Sequence, residues 1–238
     1  MSASHAGTAA HRDGSSAAEK EPPRHPMQGA TQLLLIRHGA SQPARADRPF
    51  PLIDGHGDPE LTQEGRDQAE QIAEQLCDQR ISTICVSTLR RTAQTAAPLA
   101  DRLGLTLRVE PDLREAHLGE WEGGLYTTKV AENGSLVQRL WREERWDIIP
   151  GAEPADAFAT RIHAVVERLI AEHPGEQIAI FTHGGVIAEI LARAARSRPF
   201  AFVGADNGSI SRVFAASPHW IIRCFNDTAH LRPGDGSV

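Results

Sequence analysis

The chain has 238 residues, of which 40% are hydrophobic, and this length and composition suit one well-buried domain. Its formal net charge of −6 argues against a nucleic-acid-binding protein, which normally carries a basic excess. The sequence has no apolar run of about 18 residues that could span a membrane, and its three cysteines show no metal-type spacing, which predicts reduced thiols in a cytoplasmic protein.

The two ends of the chain differ from the rest in composition. Residues 1–30 are rich in alanine, serine, histidine, proline and charge, and they show no apolar period. They also lack the apolar central block of a secretory signal, so the sequence predicts a disordered N-terminal tail. Residues 231–238 are predicted to form a short C-terminal tail, which leaves residues 31–230 as the folded domain.

Along this domain, the apolar pattern alternates between the periods of strands and of helices. Buried strands are predicted at residues 33–36, 81–87, 105–110 and 177–182, with a closing pair at 209–216 and 220–225. Helices are predicted from Thr62 as N-cap to residue 76, over residues 89–103 before Gly104, from Pro154 to residue 170, and after Gly184. Strands that alternate with helices predict an α/β fold, a three-layer α/β/α sandwich with a mostly parallel central sheet.

Two stretches interrupt this alternation. Residues 117–151 hold three of the four tryptophans and the only tyrosine, and they are predicted to form a small cap insertion over the sheet edge. Residues 42–60 are predicted to form a long loop, and long loops in compact domains are often functional. Asp54, His56 and Asp58 in this loop could suggest a metal site, although such residues more often only shape turns.

Charged and imidazole side chains follow several predicted strands at the points where those strands end. The motifs are Arg37-His38-Gly39, "STLRR" at residues 87–91, and "FTHGG" at residues 181–185. Ligands of open α/β sheets bind beyond the carboxyl ends of the strands. We therefore expect the sheet to bring these distant motifs together at one edge.

An anion suits this edge better than a metal ion does. An arginine guanidinium can donate two parallel hydrogen bonds to the oxygens of one phosphate group. The helix N-termini after Ser87 and Gly184 add free N–H groups. Cations in the same pocket lower the pKa of His38 and keep its imidazole neutral, so that it can attack phosphorus. A departing alkoxide then needs a proton, and Glu115 in "LREAHLGEWEG" is the acid placed to supply it.

In their order along the chain, these motifs resemble the histidine phosphatase superfamily, in the branch of cofactor-independent phosphatases and phosphoglycerate mutases. The resemblance covers roughly residues 32–215 and includes "LTQEGRDQA" at 61–69, Gly-x-Trp-Glu-Gly after Glu115, and "NGSIS" at 207–211. It implies a phosphoglycerate mutase-like fold that needs no metal or other cofactor.

The resemblance also implies a role for each candidate residue. His38 becomes the phosphohistidine, and Glu115 protonates the leaving group and then activates water. Arg37, Arg91 and His183 hold the phosphoryl oxygens, where Arg91 rather than Arg90 is selected by the motif. Gly184 and Gln42 complete the predicted substrate-binding set.

The predicted function is that of a metal-independent, acid-type phosphomonoester hydrolase acting on a phosphorylated small molecule. No nucleic-acid or membrane partner is expected, and the closing strands could support a homodimer. A cofactor-dependent phosphoglycerate mutase is one alternative, but Ala40 and Ala44 stand where mutases of this family carry Glu and Asn. A non-catalytic phosphate-recognition module is the other, although binding alone would require neither His38 nor Glu115.

Overall fold

The computed structural model describes residue 1 and residues 29–44, 50–216 and 218–231, so the predicted tails lie almost wholly outside the described residues. Its strands are β1 (Thr31–Arg37), β2 (Leu52–Ile53), β3 (His56–Gly57), β4 (Ile81–Val86), β5 (Leu107–Val109), β6 (Gln177–Thr182), β7 (Ile210–Ala216) and β8 (His219–Asp227). Its α-helices are α1 (Gln63–Leu76), α2 (Arg90–Leu103), α3 (Leu125–Glu132), α4 (Ser135–Glu143), α5 (Ala155–Glu172) and α6 (Gly184–Ala195).

The main sheet has the strand order β5-β4-β6-β1-β7-β8. Strands β5, β4, β6 and β1 run parallel, while β7 and β8 are antiparallel to their neighbours. The prediction of a mostly parallel sheet is confirmed. The predicted strand at 105–110 is shorter than expected, because the Leu105 N–H bonds back to the Ala100 carbonyl of α2 and Pro111 begins a 3₁₀ helix.

Both faces of the sheet are covered, as the continuous apolar run in β1 requires. Leu33 and Leu35 point into a core shared with α5 and α6. Leu34 and Ile36 point into a second core shared with α1 and α2. The predicted three-layer sandwich is therefore confirmed, and β1 lies in its centre.

The loop that follows β1 packs tightly against the first turn of α1. Thr62 caps α1, as predicted, by accepting a hydrogen bond from the Gly65 N–H at 3.1 Å. A Cβ atom on Gly65 would overlap the Ala40 carbonyl oxygen, and one on Gly39 would lie 2.5 Å from the Gly65 carbonyl oxygen. These two glycines let the loop and the helix approach closely, which holds His38 at the sheet edge.

The segment between β5 and α5 forms short helices with a small apolar cluster of its own. Trp121, Val137, Leu140 and Ile149 are buried there, with Tyr126 and Trp146 packed against them. The limits of 117–151 for a cap stay a prediction.

Part of the predicted loop at 42–60 is ordered as the β2–β3 hairpin, which corrects the prediction of a loop throughout. None of the helices among the described residues has the length and apolar character needed to cross a bilayer.

Candidate active site

His38 lies where β1 ends, between two neighbouring strands. Its N–H donates to the Thr182 carbonyl of β6 at 3.0 Å, and this pairing puts His38 beside His183. The centroids of the two imidazole rings are 5.3 Å apart in an edge-to-face arrangement, and both side chains are buried. The parallel register thus brings together two motifs that are far apart in the sequence, as predicted.

A backbone contact fixes the proton on the His38 imidazole. Its Nδ1 lies 2.8 Å from the Gly39 carbonyl oxygen, which can only accept, so Nδ1 carries the hydrogen and Nε2 keeps its lone pair. Burial, followed by the charges of Arg91 and Arg37, holds the pKa of His38 well below its usual value. The imidazole is therefore neutral near pH 7 and available as a nucleophile.

Asn207 clamps the backbone of His38 from the other side. Its side-chain amide donates to the carbonyl oxygens of His38 and Gly39, at 2.9 and 3.3 Å. The Gly208 N–H also bonds to the Arg37 carbonyl at 3.1 Å. The sequence signal for Asn207 is the "NGSIS" motif, which by itself assigns no role to this residue.

The guanidinium groups of Arg37 and Arg91 lie on the cavity next to His38. Arg37 donates through one Nη to the Ala205 carbonyl, while its buried Nε has no hydrogen-bond partner among the described residues. Arg91 donates to the Gly57 carbonyl at 2.9 Å. Burial lowers the pKa of both groups, although nearby carboxylates, led by Glu115, oppose this. Each keeps N–H groups available for an anion.

Arg90 points away from this cavity. Its side chain is 42% exposed and donates to Asp58 at 2.7 Å and to Glu60 at 3.0 Å. The geometry therefore agrees with the selection of Arg91 over its neighbour. The bond from Arg90 also engages the carboxylate of Asp58, and Asp58 is one of the three loop residues that could suggest a metal site.

His183 is buried beside His38, and it is not among the described residues that line the cavity. Its Nε2 is 2.9 Å from the Ser87 hydroxyl, and its buried Nδ1 has no partner among the described residues. Burial, with the nearby charge of Arg91, holds its pKa well below the usual value. Buried polar atoms are nearly always hydrogen-bonded, so this Nδ1 and the Arg37 Nε are two buried groups that the described residues leave unsatisfied.

Glu115 reaches the site from the loop after β5. Its Oε1 accepts from the Ala116 N–H and its Oε2 from the Gly185 N–H, both at 2.9 Å. Gly185 is in the first turn of α6, and a Cβ atom there would collide with the Glu115 carboxylate. Arg161 of α5 holds the same loop by donating to the Arg114 and Glu115 carbonyls at 2.9 and 3.0 Å.

Five of the seven candidate residues line two adjoining cavities. The His38 lobe, about 190 Å³ in volume, is lined by Arg37, His38, Arg91 and Glu115. The Trp146 lobe, about 310 Å³, shares Arg37, Glu115, Ala116, Leu118 and Tyr126 with it and adds Trp146, Gly184, Gly185, Val203, Gly204 and Ala205. Gln42 is exposed and is not among the described residues that line either lobe, so its role stays a prediction.

The structure also places residues in the site that the sequence did not assign to it. Tyr126 lines both lobes, and the buried His56 lines the His38 lobe. Their positions depend on how the hairpin and the short helices pack, which no sequence period records. The described part of the chain has no group of three or more side chains placed to hold a metal ion, and Asp54 pairs with Arg114 at 2.9 Å.

Comparison with known proteins gives the site a context. The model of the histidine phosphatase superfamily (branch 1) matches residues 33–228. Phosphoglycerate mutase-like protein 4 of Arabidopsis thaliana is 33% identical over 205 residues, which cover 84% of this chain and 86% of that protein. Glucosyl-3-phosphoglycerate phosphatase of Mycobacterium tuberculosis is 33% identical over 171 residues, 68% of this chain and 74% of that protein. The native structure of the mycobacterial phosphatase of that name aligns with a TM-score of 0.70 and 28% identity, covering 83% of this chain and 99% of that one.

The sheet order and the matched family model define the class of protein, an α/β enzyme of the histidine phosphatase type. The chain belongs to the histidine phosphatase superfamily, branch 1. The predicted family and enzyme class, a phosphatase of the histidine phosphatase type, are confirmed. The domain limits and the roles of individual residues stay predictions.

Proposed function

We propose that this chain hydrolyses phosphomonoesters of small molecules through a covalent phosphohistidine on His38, without a metal ion. One observation carries the proposal. The His38 imidazole is held neutral, and its Nδ1–H donates a hydrogen bond to the Gly39 carbonyl. His38 lines a cavity together with Arg37 and Arg91. A neutral imidazole with a free lone pair beside two cations is suited to attack a bound phosphoryl group.

The same cations would bind the substrate and stabilise the transferring group. In this proposal, Arg37 and Arg91 donate hydrogen bonds to phosphoryl oxygens. The His183 Nδ1 donates to a further phosphoryl oxygen when the Ser87 hydroxyl donates to the His183 Nε2. The Gly184 N–H adds a donor from the N-terminus of α6. Because phosphoryl transfer spreads charge over the non-bridging oxygens, fixed donors of this kind supply most of the catalysis.

The chemistry proceeds in two balanced steps. In the first, the Nε2 lone pair of His38 forms a bond to phosphorus, the ester P–O bond breaks, and the departing oxygen takes the proton of the Glu115 carboxylic acid. In the second, the Glu115 carboxylate removes a proton from water as that water attacks phosphorus. The P–N bond then breaks and returns its electron pair to His38, which releases inorganic phosphate and leaves Glu115 protonated again.

The names of the relatives support hydrolysis as the net reaction. The M. tuberculosis protein is named a phosphatase, whereas the A. thaliana protein is named only as mutase-like. We extend the proposal to the domain limits: residues 31–230 form the catalytic domain, and the segment 117–151 caps it. Phosphoglycerate mutase activity is the outcome that would redirect the proposal, because a mutase returns the phosphoryl group to a sugar acid rather than to water.

Substitution of His38 tests the covalent step. The protein is incubated with a ³²P-labelled phosphomonoester in EDTA, quenched in alkali, which phosphohistidine survives, and assayed for bound label and released phosphate. We expect His38→Ala to lose both signals, with turnover falling at least about 10⁴-fold, because the nucleophile is gone. The exposed His219 on β8 offers a matched control, and His219→Ala should keep both.

Three results would contradict the proposal. Label that survives in a folded His38→Ala protein would exclude His38 as the phosphorylated residue. Conversion of 3-phosphoglycerate to 2-phosphoglycerate, with bisphosphoglycerate present and faster than phosphate release, would assign the mutase reaction instead. Phosphate binding without turnover of any ester would leave only a recognition module.

A further inference from the structure

The two chemical steps described above leave most of the Trp146 lobe without an assigned occupant. It is lined by Glu115 but not by His38. In an in-line displacement, the leaving oxygen lies on the side of phosphorus opposite the nucleophile. Glu115 must reach that oxygen to protonate it, so the rest of the leaving alcohol extends beyond Glu115 and away from His38. A lobe that contains the acid and excludes the nucleophile is the place for this alcohol.

The walls of the Trp146 lobe determine which alcohol fits. Beyond the residues it shares with the His38 lobe, none of the described residues that line it has a charged side chain. Tyr126 and Trp146 form an edge-to-face pair there, with ring centroids 6.1 Å apart, and Leu118 and Val203 add apolar surface. Aromatic faces carry a negative quadrupole and bury large apolar areas, so they favour apolar or ring-shaped groups over anions.

The two charged groups at the entrance to this lobe are already engaged. Arg37 donates to the Ala205 carbonyl and, in the proposed reaction, to the phosphoryl group. Glu115 accepts from two backbone N–H groups and would stand next to any carboxylate on the alcohol. A substrate carboxylate in the Trp146 lobe would therefore lose its hydration without gaining a cation, which is unfavourable.

We infer that the Trp146 lobe binds the alcohol portion of the substrate, and that this portion is uncharged and apolar or ring-bearing. Tyr126 and Trp146 then determine specificity for the reaction proposed above, on which this inference rests. The inferred substrate class differs from the phosphoglycerate ester in the name of the M. tuberculosis relative. A carboxylate close to the ester is expected to be selected against.

Three primary alkyl phosphates with similar leaving groups separate this preference from intrinsic reactivity. They are ethyl phosphate, 2-phenylethyl phosphate and 3-phosphonooxypropanoate, of which the last carries a carboxylate. We expect kcat/KM for 2-phenylethyl phosphate to exceed that for the carboxylated ester at least about tenfold, because filling an apolar pocket is worth this much in discrimination. Equal rates, or a preference for the carboxylated ester, would overturn the inference while leaving hydrolysis itself established.

Two substitutions assign the preference to the lobe. Tyr126→Ala should lower the ratio of kcat/KM for 2-phenylethyl over ethyl phosphate about tenfold, whereas Tyr126→Phe, which keeps the ring, should hold it within about threefold. Trp141→Ala is a control in the same segment, since Trp141 is exposed and is not among the described residues lining either lobe. An unchanged ratio in Tyr126→Ala would show that the alcohol lies elsewhere.

A gain-of-function variant gives a test whose result does not depend on a loss of protein stability. Val203 is half-buried on the wall of the lobe, and Val203→Lys would bring an ammonium group into it. We expect the ratio of kcat/KM for 3-phosphonooxypropanoate over 2-phenylethyl phosphate to rise at least about tenfold in this variant, since a cation now pairs with the carboxylate. No rise would contradict the inference. Absence of hydrolysis with all three esters would instead reject the proposed function.

Discussion

Gly185 shows how a single missing side chain can set the position of an acid. Its N–H donates to Glu115, and its Cα faces the carboxylate so closely that a methyl group would displace it. We expect Gly185→Ala to lower kcat/KM for ethyl phosphate about 100-fold, the lower range of general acid catalysis, because this parameter reports the first step, in which the leaving group takes its proton. The loss should be much smaller for 4-nitrophenyl phosphate, whose leaving group needs no proton.

Gly184 provides the comparison for this prediction. A Cβ atom there would lie 3.6 Å from the Arg37 Nε, which is ordinary van der Waals contact. The Gly184→Ala enzyme should therefore lose much less activity than Gly185→Ala, and its loss should not depend on the leaving group. Equal losses in the two variants, with both esters, would contradict the role given to Glu115.

At this scale, the sequence predicted the candidate residues that lie at or soon after strand ends, and the family motif selected Arg91 over Arg90. Arg37 is the last residue of β1, His38 follows it, and His183 follows β6, so the sheet edge must gather all three. Arg161 and Tyr126 belong to helices whose orientation depends on tertiary packing. Their apolar and charged neighbours give the same pattern whether these side chains face solvent or the site, so the sequence could not place them.

The contact between α1 and the loop after β1 is the clearest case at the scale of elements. Alanine normally stabilises a helix by up to about 1 kcal/mol relative to glycine. Gly65→Ala should nevertheless lower the free energy of unfolding by about 1–3 kcal/mol, because its Cβ would overlap the Ala40 carbonyl. Activity should fall as well, since Ala40 follows the catalytic motif. Urea denaturation and steady-state kinetics measure the two effects.

Gly134, at the start of α4, is a suitable control for this substitution. It is exposed, it has an extended backbone, and a Cβ atom there would meet nothing within 4 Å. Gly134→Ala should change the free energy of unfolding by less than about 1 kcal/mol. A Gly65→Ala protein as stable and active as this control would show that the loop and the helix can separate without cost.

Most helices and strands were predictable because their apolar periods are long. Helix α2, for example, ends at Gly104 as predicted, where the backbone turns left-handed with φ of 65°. The β2–β3 hairpin escaped prediction because its strands have two residues each, too few to show an alternation. The predicted strand at 105–110 was too long because the apolar pattern alone did not mark where α2 ends its backbone hydrogen bonds.

For the whole molecule, the buried imidazoles link stability to pH. Burial holds the pKa of His38 and His183 well below the value of about 6.5 expected in the unfolded chain. Below pH 6.5, the unfolded state binds protons that the folded state does not, so the free energy of unfolding falls as pH falls. The slope is up to roughly 1.4 kcal/mol per pH unit for each histidine.

Denaturant unfolding between pH 7.5 and 5.5, in buffer without phosphate, measures this dependence. His38→Gln removes one of the two groups and should flatten the slope, so that the difference in stability from the wild type shifts in favour of the variant as pH falls. Identical slopes in the two proteins would mean that His38 takes up protons equally in the folded and unfolded states.

The strand order of the whole sheet could not be predicted from the sequence periodicity. Periodicity identified six strands and the alternation with helices, which is enough for a mostly parallel, doubly covered sheet. It did not indicate that β1 lies between β6 and β7, since pairing depends on which edges meet after the helices have packed. The motif order filled part of this gap, because it is typical of a family with one architecture.

The central position of β1 has a consequence for biosynthesis. Its partners on both sides are Gln177–Thr182 and Ile210–Ala216, which leave the ribosome well over a hundred residues later. Until they emerge, an apolar strand and the proposed nucleophile that follows it lack their native neighbours, and such long-range pairing is slow and prone to aggregation. A nascent chain truncated before residue 177 should therefore carry the Arg-His-Gly motif and yet bind chaperones rather than phosphate.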